Sequence, residues 1–244
     1  MTHPNETLAL MARHRSVRQF SGRPVDEETL RQIIRSAQGA ASSSFVQAVS
    51  VVRITDTQAR KRFAEATGGQ VWVEQAAEFL IWCADLHRVE LACHKAGEPA
   101  LEGYTEHSLV AIIDTALVAQ NALLAAESLG LGGVFIGGLR NNPALAVEIC
   151  ALPPQVVPLF GMCLGWPGGE TGIKPRLPVD IVLHQDRYHE PDLQDYDQRM
   201  ASYYAARSSK TKQRTWSQET AKAMHGKKRE HMLAFLRERG FFLR

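Results

Sequence analysis

Apolar residues recur at helical spacing in several parts of the chain. After Asp26 they return every three or four positions until Gly39, which predicts a helix that begins at residue 27. An aspartate suits the start of a helix because its side chain accepts a hydrogen bond from an unpaired backbone N–H. Asp56 predicts a second helix start by the same reasoning. Asn142-Pro143 predicts a third, because proline is favoured at the first helical position.

Short runs rich in β-branched and other apolar residues predict four strands, at residues 49–54, 79–84, 132–139 and 156–164. The second run is apolar at every position, which is typical of a central strand buried on both faces. Glycine pairs flank the third run and permit the close approach of a flat ligand or another backbone. Residues 87–104 are polar and contain glycine and proline, so we interpret them as an irregular, mobile excursion.

The longest helix is predicted over residues 108–129, where few positions are polar, and Gly130 follows as its C-terminal cap. A helix that is apolar nearly all round must be buried nearly all round. One alternative is burial within a single chain. The other is a central helix covered by the sheet on one side and by a partner subunit on the other.

The length of 244 residues and an apolar content of 45% fit one large domain, or one domain with an extension. We predict a core over residues 1–190 and a helical, basic arm over residues 191–244 that belongs to the same domain. The four cysteines form no C-x-x-C pair, so buried free thiols are expected rather than disulfides. No leader-like or membrane-spanning run is evident, and we expect a cytoplasmic protein.

Two short basic segments lie far apart in the chain. The first is His14-Arg15-Ser16-Val17-Arg18 and the second is Lys174-Pro175-Arg176, in which proline stiffens the backbone between two cations. Backbone N–H groups, a hydroxyl and guanidinium forks in such segments can bind phosphate oxygens. Taken alone, the first segment is better explained as a solvated basic turn. The second segment, and a serine run between the two, favour the anion site.

The chain lacks a Walker lysine motif, a G-x-G-x-x-G helix start and a G-x-S-x-G motif. No metal site is predicted, because Cys93, His94 and His87 have no second ligand pair at suitable spacing. A cofactor enzyme needs none of these motifs, because the cofactor carries the reaction. The available groups suit flavin mononucleotide (FMN). They are the two basic segments, the hydroxyls of the serine run, a glutamine and a glycine pair.

Taken together, these segments closely resemble the oxygen-insensitive NADPH nitroreductases and NADPH-flavin oxidoreductases of the nitroreductase family. The resemblance rests on several motifs in family order that cover most of the chain. They are His14-Arg15-Ser16-Val17-Arg18, Ser42-Ser43-Ser44-Phe45-Val46-Gln47, Thr67-Gly68-Gly69-Gln70, Asp114-Thr115-Ala116, Glu127-Ser128-Leu129-Gly130-Leu131-Gly132-Gly133, Ile136-Gly137-Gly138-Leu139-Arg140, Leu164-Gly165-Trp166-Pro167 and Lys174-Pro175-Arg176-Leu177-Pro178.

The resemblance implies an α+β fold, with a mostly antiparallel sheet surrounded by helices, in an intertwined homodimer that binds FMN at the subunit interface. It also implies a two-electron ping-pong reaction in which NADPH is the donor and a nitroaromatic, a quinone or a related compound is the acceptor. Arg18 would lie near N1 and O2 of the flavin, and no catalytic acid is implied. The implied FMN-binding residues are His14, Arg15, Ser16, Arg18, Ser42, Ser43, Ser44, Gln70, Ile136, Gly137, Gly138, Lys174 and Arg176.

For the substrates, the resemblance implies contacts from Phe45 and from Arg207, Lys212 and Arg229 in the basic arm, which would bind the 2′-phosphate of NADPH. Lys212 stands where the family has an arginine, so it keeps the charge but loses the bidentate fork. The alternative function on the same scaffold is an NADPH-dependent FMN reductase that supplies reduced flavin. A nucleic-acid-binding module is not favoured, because the basic arm has no exposed aromatic residues interleaved with its charges beyond Trp216.

Overall fold

A computed structural model describes residues 5–206, 214–226 and 228–244. Four strands, Val49–Arg53 (β1), Glu78–Asp85 (β2), Gly132–Ile136 (β3) and Val156–Gly165 (β4), form an antiparallel sheet in the order β1-β2-β4-β3. The helices are Glu6–Ala12 (α1), Glu27–Ala37 (α2), Thr57–Ala66 (α3), Trp72–Gln75 (α4), Leu86–Lys95 (α5), Thr105–Ser128 (α6), Pro143–Ile149 (α7), Val179–Val182 (α8), Gln194–Ala205 (α9), Trp216–Gly226 (α10) and Met232–Glu238 (α11). The predicted antiparallel sheet surrounded by helices is confirmed.

Side chains alternate between the two faces of the central strand β2, and both faces are covered. Phe79 and Ile81 point into a core with Phe63 of α3, while Leu80 and Trp82 pack with α2 and α6 on the other side. Every residue of β2 is buried, as its uninterrupted apolar run predicted. The sheet is therefore the middle layer between α3 with α7 and α2 with α6.

The predicted helix starts are confirmed by their capping contacts. Asp26 accepts a hydrogen bond from the backbone N–H of Thr29 at 2.8 Å, and Asp56 accepts one from Ala59 at 2.7 Å. Asn142 caps α7 with a bond from Leu145, and a proline follows in the first turn. These contacts involve only near neighbours, so the local sequence is enough to define them.

Two local predictions are wrong. Residues 86–95 form α5 rather than part of an irregular excursion, because the side chain of Asp85 accepts the backbone N–H of Arg88 at 2.9 Å and caps the helix. The third strand ends at Ile136 instead of residue 139, and Gly137–Asn141 forms a 3₁₀ turn.

The long helix α6 confirms its predicted position, but one face is not buried by its own chain. Leu109, Ile113 and Leu117 are 42%, 54% and 43% exposed, whereas Ala119 and Leu123 are buried against the sheet. By length and composition this helix could cross a membrane, yet 44% of its most apolar window is buried in the fold. Burial within one chain is therefore not the full explanation of its apolar surface, and the partner-subunit alternative stays a prediction.

The chain divides into two compact units. One comprises the residues up to Thr171 together with Glu230–Arg244, and the other comprises Gly172–Arg229, with the gaps given above. This division differs from the predicted one at residue 190. In the first unit, the fully buried ring of Phe241 and a bond from the N–H of Thr105 to the carbonyl of Arg244 at 2.9 Å hold the last residues. In the second unit, Tyr196, Met200 and Tyr204 form a small core.

One buried ion pair predicts a measurable stability difference. The Arg53 guanidinium donates two hydrogen bonds of 2.7 Å to the carboxylate of Glu78, which is 2% exposed. Arg53 is itself partly exposed, but its loss leaves the buried carboxylate without two hydrogen-bond donors, so Arg53→Ala is expected to lower the free energy of unfolding by about 1–3 kcal/mol. Urea denaturation followed by circular dichroism, at a fixed protein concentration, measures this change.

The matched control is Arg62→Ala, which removes an exposed pair with Glu148. Exposed pairs contribute less than about 1 kcal/mol. Equal losses in the two variants would contradict a special contribution from the Arg53–Glu78 pair.

Candidate active site

The first basic segment is held against the edge strand β3. The backbone N–H of Val17 donates to the carbonyl of Gly133 at 2.9 Å, and the Val17 side chain is buried. A Cβ on Gly132 would collide with that side chain, so only glycine allows the approach. With Val17 as the inward anchor, Arg15 and Arg18 remain on the surface, and His14 and Ser16 are half-buried.

His14 is oriented by a carboxylate from α6. Its Nδ1 lies 2.7 Å from Oε1 of Glu127, whose side chain is 10% exposed. A hydrogen bond at one ring nitrogen fixes the ring orientation and directs the other nitrogen elsewhere. Nε2 is thus the ring atom that can donate to an anion when the imidazole is protonated. Sequence inspection identified His14 but gave no indication of Glu127 as its partner.

Arg18 lies over an aromatic ring. Its guanidinium carbon is 5.8 Å from the centroid of Trp72, which begins α4. This distance is within the range of a cation–π contact. The contact places Arg18 beside the turn that contains Gln70, in agreement with the prediction that both residues serve one site.

The turn at Gln70 and the turn after β3 pack tightly together. The side-chain Nε2 of Gln70 donates to the carbonyl of Thr67 at 2.7 Å. A Cβ on Gly138 would lie 2.6 Å from that same carbonyl, so Gly138 is required for contact between two protein segments. Ile136 is fully buried in the core, so its backbone alone remains for a ligand. Gly137 is half-buried and lacks such close neighbours.

The serine run forms a short loop with unusual backbone geometry. Ser43–Phe45 is a 3₁₀ turn, and the φ angles of Ser44, Phe45 and Gln47 are 47°, 57° and 54°. The hydroxyl of Ser42 donates to Oδ2 of Asp114 at 2.6 Å and accepts from the N–H of Gln47 at 2.7 Å. Ser42 therefore supports the loop, while Ser43, Ser44 and the 80% exposed ring of Phe45 face outward.

Two carboxylates of α6 support the exposed loops of the candidate site. Asp114 and Glu127 are engaged by protein groups, and Arg15, Arg18 and the hydroxyls of two serines lie at the surface. These donors suit a flat, anionic cofactor such as FMN. The carboxylates of Asp114 and Glu127 are already hydrogen-bonded to the protein, so they need not face the phosphate of the cofactor. Within the described ranges, no group of three or more His, Cys, Asp and Glu side chains could hold a metal ion.

The cysteines do not provide a nucleophile at this site. All four are free, and Cys83 and Cys163 are buried, as predicted. Burial raises the pKa of the Cys163 thiol to about 12 and that of Cys150 to about 11, and it raises the pKa of Cys83 as well. A thiol reacts as its thiolate, so these groups are inert at neutral pH.

The second basic segment belongs to the other compact unit. The phenol of Tyr196 donates to the carbonyl of Pro175 at 3.0 Å, which fixes the segment against α9. Burial raises the pKa of this phenol, so it remains a neutral donor. Lys174 and Arg176 lie at the surface beside a cleft of about 400 Å³ that Tyr204 and Trp216 also line.

The predicted NADPH-binding residues are only partly described. Arg229 is half-buried at a backbone position with a φ of 44°. Arg207 and Lys212 lie outside the described residues, so their predicted role stays a prediction.

Two family models and several known proteins match this chain. The Nitroreductase family model matches residues 11–166, and the model of its C-terminal domain matches residues 174–244. The chain is 44% identical to an NADPH-flavin oxidoreductase of Vibrio harveyi over 97% of its length and 98% of that protein. It is 43% identical to an oxygen-insensitive NADPH nitroreductase of Salmonella typhimurium, with 98% and 99% of the two chains covered.

A solved structure extends the likeness to three dimensions. NADPH:FMN oxidoreductase from Vibrio harveyi, complexed with NAD⁺, superimposes with a TM-score of 0.88 at 42% identity, covering 98% of this chain and all of that one. Sequence identity and fold similarity extend over nearly the whole length of both chains. The chain therefore belongs to the nitroreductase family.

Proposed function

We propose that this protein is an FMN-dependent NADPH oxidoreductase that reduces nitroaromatics, quinones or related acceptors in a two-electron ping-pong reaction. The observation that carries the proposal is the set of outward-facing donors, Arg15, Arg18, Ser43 and Ser44, on loops held by buried carboxylates. Relatives at 43–44% identity are named as an NADPH-flavin oxidoreductase and an NADPH nitroreductase. When bound, FMN supplies the chemistry of hydride acceptance and hydride donation.

The chain's own residues bind and orient the cofactor. In the proposed arrangement His14, Arg15 and Ser16 of the first unit bind the phosphate. The phosphate contacts of Lys174 and Arg176 stay a prediction from the sequence. Gln70, Gly137 and the backbone of Ile136 line the ring, and the serine loop lines the ribityl chain. We propose a supporting role for Ser42 and Gly138, because both contact other protein groups. Ser42 holds the serine loop, and Gly138 allows the turn at Gln70 to pack closely.

We propose that the positive charge of Arg18 stabilises the electron-rich form of the cofactor. A guanidinium keeps its charge throughout the working pH range, and near N1 and O2 of the ring it favours the electron-rich form of the cofactor. Stacking on Trp72 restricts the positions that this long side chain can occupy. No side-chain acid is assigned, since water can supply the protons.

The exposed apolar face of α6 supports a homodimer. Leu109, Ile113 and Leu117 are spaced four residues apart and form one stripe on the helix surface. A cleft of about 400 Å³ lies between this stripe and the serine loop. We propose that α6 of a second copy covers the stripe, because twofold dimers pair the same patch on both subunits.

The first test of the proposed function is spectroscopic. The purified protein is expected to be yellow, to lose its flavin absorbance in a single phase on addition of NADPH under nitrogen, and to regain it with a quinone or a nitroaromatic. Parallel initial-rate lines on a double-reciprocal plot would support ping-pong kinetics. A colourless protein that takes up no added FMN would overturn the proposal.

The alternative function is an FMN reductase that supplies reduced flavin, and the name of the Vibrio harveyi relative favours it. The two functions differ in the acceptor that gives the highest kcat/KM. Turnover with free FMN, with a quinone and with a nitroaromatic, measured at one NADPH concentration, separates them. A free-FMN value that exceeds both others would favour the flavin reductase.

The dimer is tested by introducing a charge into the stripe. Ile113→Arg is expected to convert the dimer into a monomer and to lower the FMN content, because a buried guanidinium without a partner is costly at an interface. Sedimentation at micromolar concentration measures the change. The matched control is Leu91→Arg on α5, since Leu91 is equally exposed at 54%. A wild-type monomer that retains FMN would refute the dimer.

The basic arm is tested by nucleotide preference. Arg229→Ala is expected to raise KM for NADPH and leave KM for NADH and the FMN content nearly unchanged. A charge-assisted contact contributes about 1.5–3 kcal/mol, which corresponds to about one to two orders of magnitude. Arg237→Ala, at an exposed position of α11, is the control. Equal losses with both nucleotides would show that Arg229 shapes the pocket instead of contacting the 2′-phosphate.

A further inference from the structure

The buried carboxylate of Asp114 is a polar exception within the apolar helix α6. Asp114 is 1% exposed, and an ionised carboxylate in such surroundings requires hydrogen-bond donors. Its three donors all come from one loop. Ser42 Oγ lies 2.6 Å from Oδ2, the backbone N of Ser43 lies 3.1 Å from Oδ1, and the backbone N of Ala48 lies 3.3 Å from Oδ2.

The loop that Asp114 binds is strained. Ser44, Phe45 and Gln47 all carry a Cβ and all have positive φ, which is unfavourable for such residues. Conformations of this kind persist only where the surroundings determine them. Here the Ser42 hydroxyl links the Asp114 carboxylate to the N–H of Gln47 and so closes the loop from within.

We propose that Asp114 is the positioning residue that imposes the active shape of the serine loop. This inference rests on the proposed function, in which Ser43 and Ser44 face FMN and Phe45 faces the substrate. Asp114 is itself buried and bonds to the loop. It acts through the loop, and it is adjacent in sequence to Ile113 on the exposed apolar stripe of the same helix. A shift of α6 at a subunit interface would therefore move the cofactor-binding loop.

The three hydrogen bonds from the serine loop require a carboxylate at position 114 and not merely a polar side chain. An ionised carboxylate only accepts hydrogen bonds, so both of its oxygens can serve the O–H of Ser42 and the two backbone N–H groups. Asparagine has the same shape, but its NH₂ group would face a donor in either amide orientation. Asp114→Asn therefore removes part of the loop's support with almost no change in volume.

The test compares Asp114→Asn with Thr115→Val in the full-length protein. Thr115 is the next residue on α6 and is also buried, but its hydroxyl donates to the carbonyls of Ala111 and Cys83 and not to the loop. Both variants lose buried hydrogen bonds of the helix. The measurements are the FMN dissociation constant, from flavin fluorescence, and amide hydrogen exchange of residues 42–48 with and without FMN.

Asp114→Asn is expected to weaken FMN binding by about tenfold or more and to accelerate exchange at the amides of Ser43, Gln47 and Ala48, even without FMN. Thr115→Val is expected to lower the unfolding midpoint while leaving the dissociation constant and loop exchange as in the wild type. Unchanged FMN affinity and loop exchange in Asp114→Asn, beside a yellow wild type, would overturn the inference. Equal changes in both variants would also overturn it.

Ser42→Ala serves as the second variant if Asp114→Asn does not fold. It keeps the carboxylate and its two backbone donors but breaks the link to Gln47, so faster exchange at Gln47 and weaker FMN binding are expected. Wild-type exchange and affinity in Ser42→Ala would contradict the inference. A wild type that binds no FMN is a separate outcome, since it would refute the proposed function itself.

Discussion

The packing of α6 on the sheet is the interaction on which the other features of this protein depend. One face of the helix buries Ala119 and Leu123 against β2 and β4, and this fixes the helix relative to the sheet. Three polar residues of α6 then have defined positions. Thr115 bonds to the carbonyl of Cys83 in β2, Asp114 holds the serine loop, and Glu127 holds His14.

The two carboxylates on α6 also organise the electrostatics of the site. Asp114 and Glu127 satisfy groups of the protein, and the loops they hold present cations, hydroxyls and amides outward. In the proposed arrangement an anionic ligand would face these donors. Because binding then costs little side-chain or loop ordering, such preorganisation increases affinity without new contacts. Gly132 supports the same arrangement by leaving room for Val17, and Gly133 lets Leu123 of α6 pack closely on the sheet.

Much of the fold could be predicted from the sequence, because its signals are local. The caps at Asp26 and Asp56 act within three residues, and the apolar run of β2 reports burial on both faces directly. The α5 helix was missed because its polar surface resembled a loop, although Asp85 stood in a capping position. The exposed stripe on α6 could not be distinguished from core, since sequence periodicity reports only that a position is apolar.

The contacts that support the candidate site could not be predicted from the sequence. His14, Arg18 and the serine run were identified from motifs and resemblance, whereas their partners are distant in sequence. Asp114 is 72 residues from Ser42, and Glu127 is 113 residues from His14. An aspartate in the middle of an apolar helix was the signal available for Asp114. Gly138 had an equally ambiguous signal, because glycine permits either a ligand or a second backbone to approach.

The burial of the thiols has a consequence for the chemical durability of the protein. Quinones and the products of nitro-group reduction are electrophiles that add to thiolates, so an enzyme that handles them is exposed to self-inactivation. With a pKa of about 11, Cys150 is ionised to about one part in ten thousand at pH 7, and Cys83 and Cys163 are shielded still further by the sheet. Burial of these three cysteines therefore lowers their reactivity towards electrophiles of this kind.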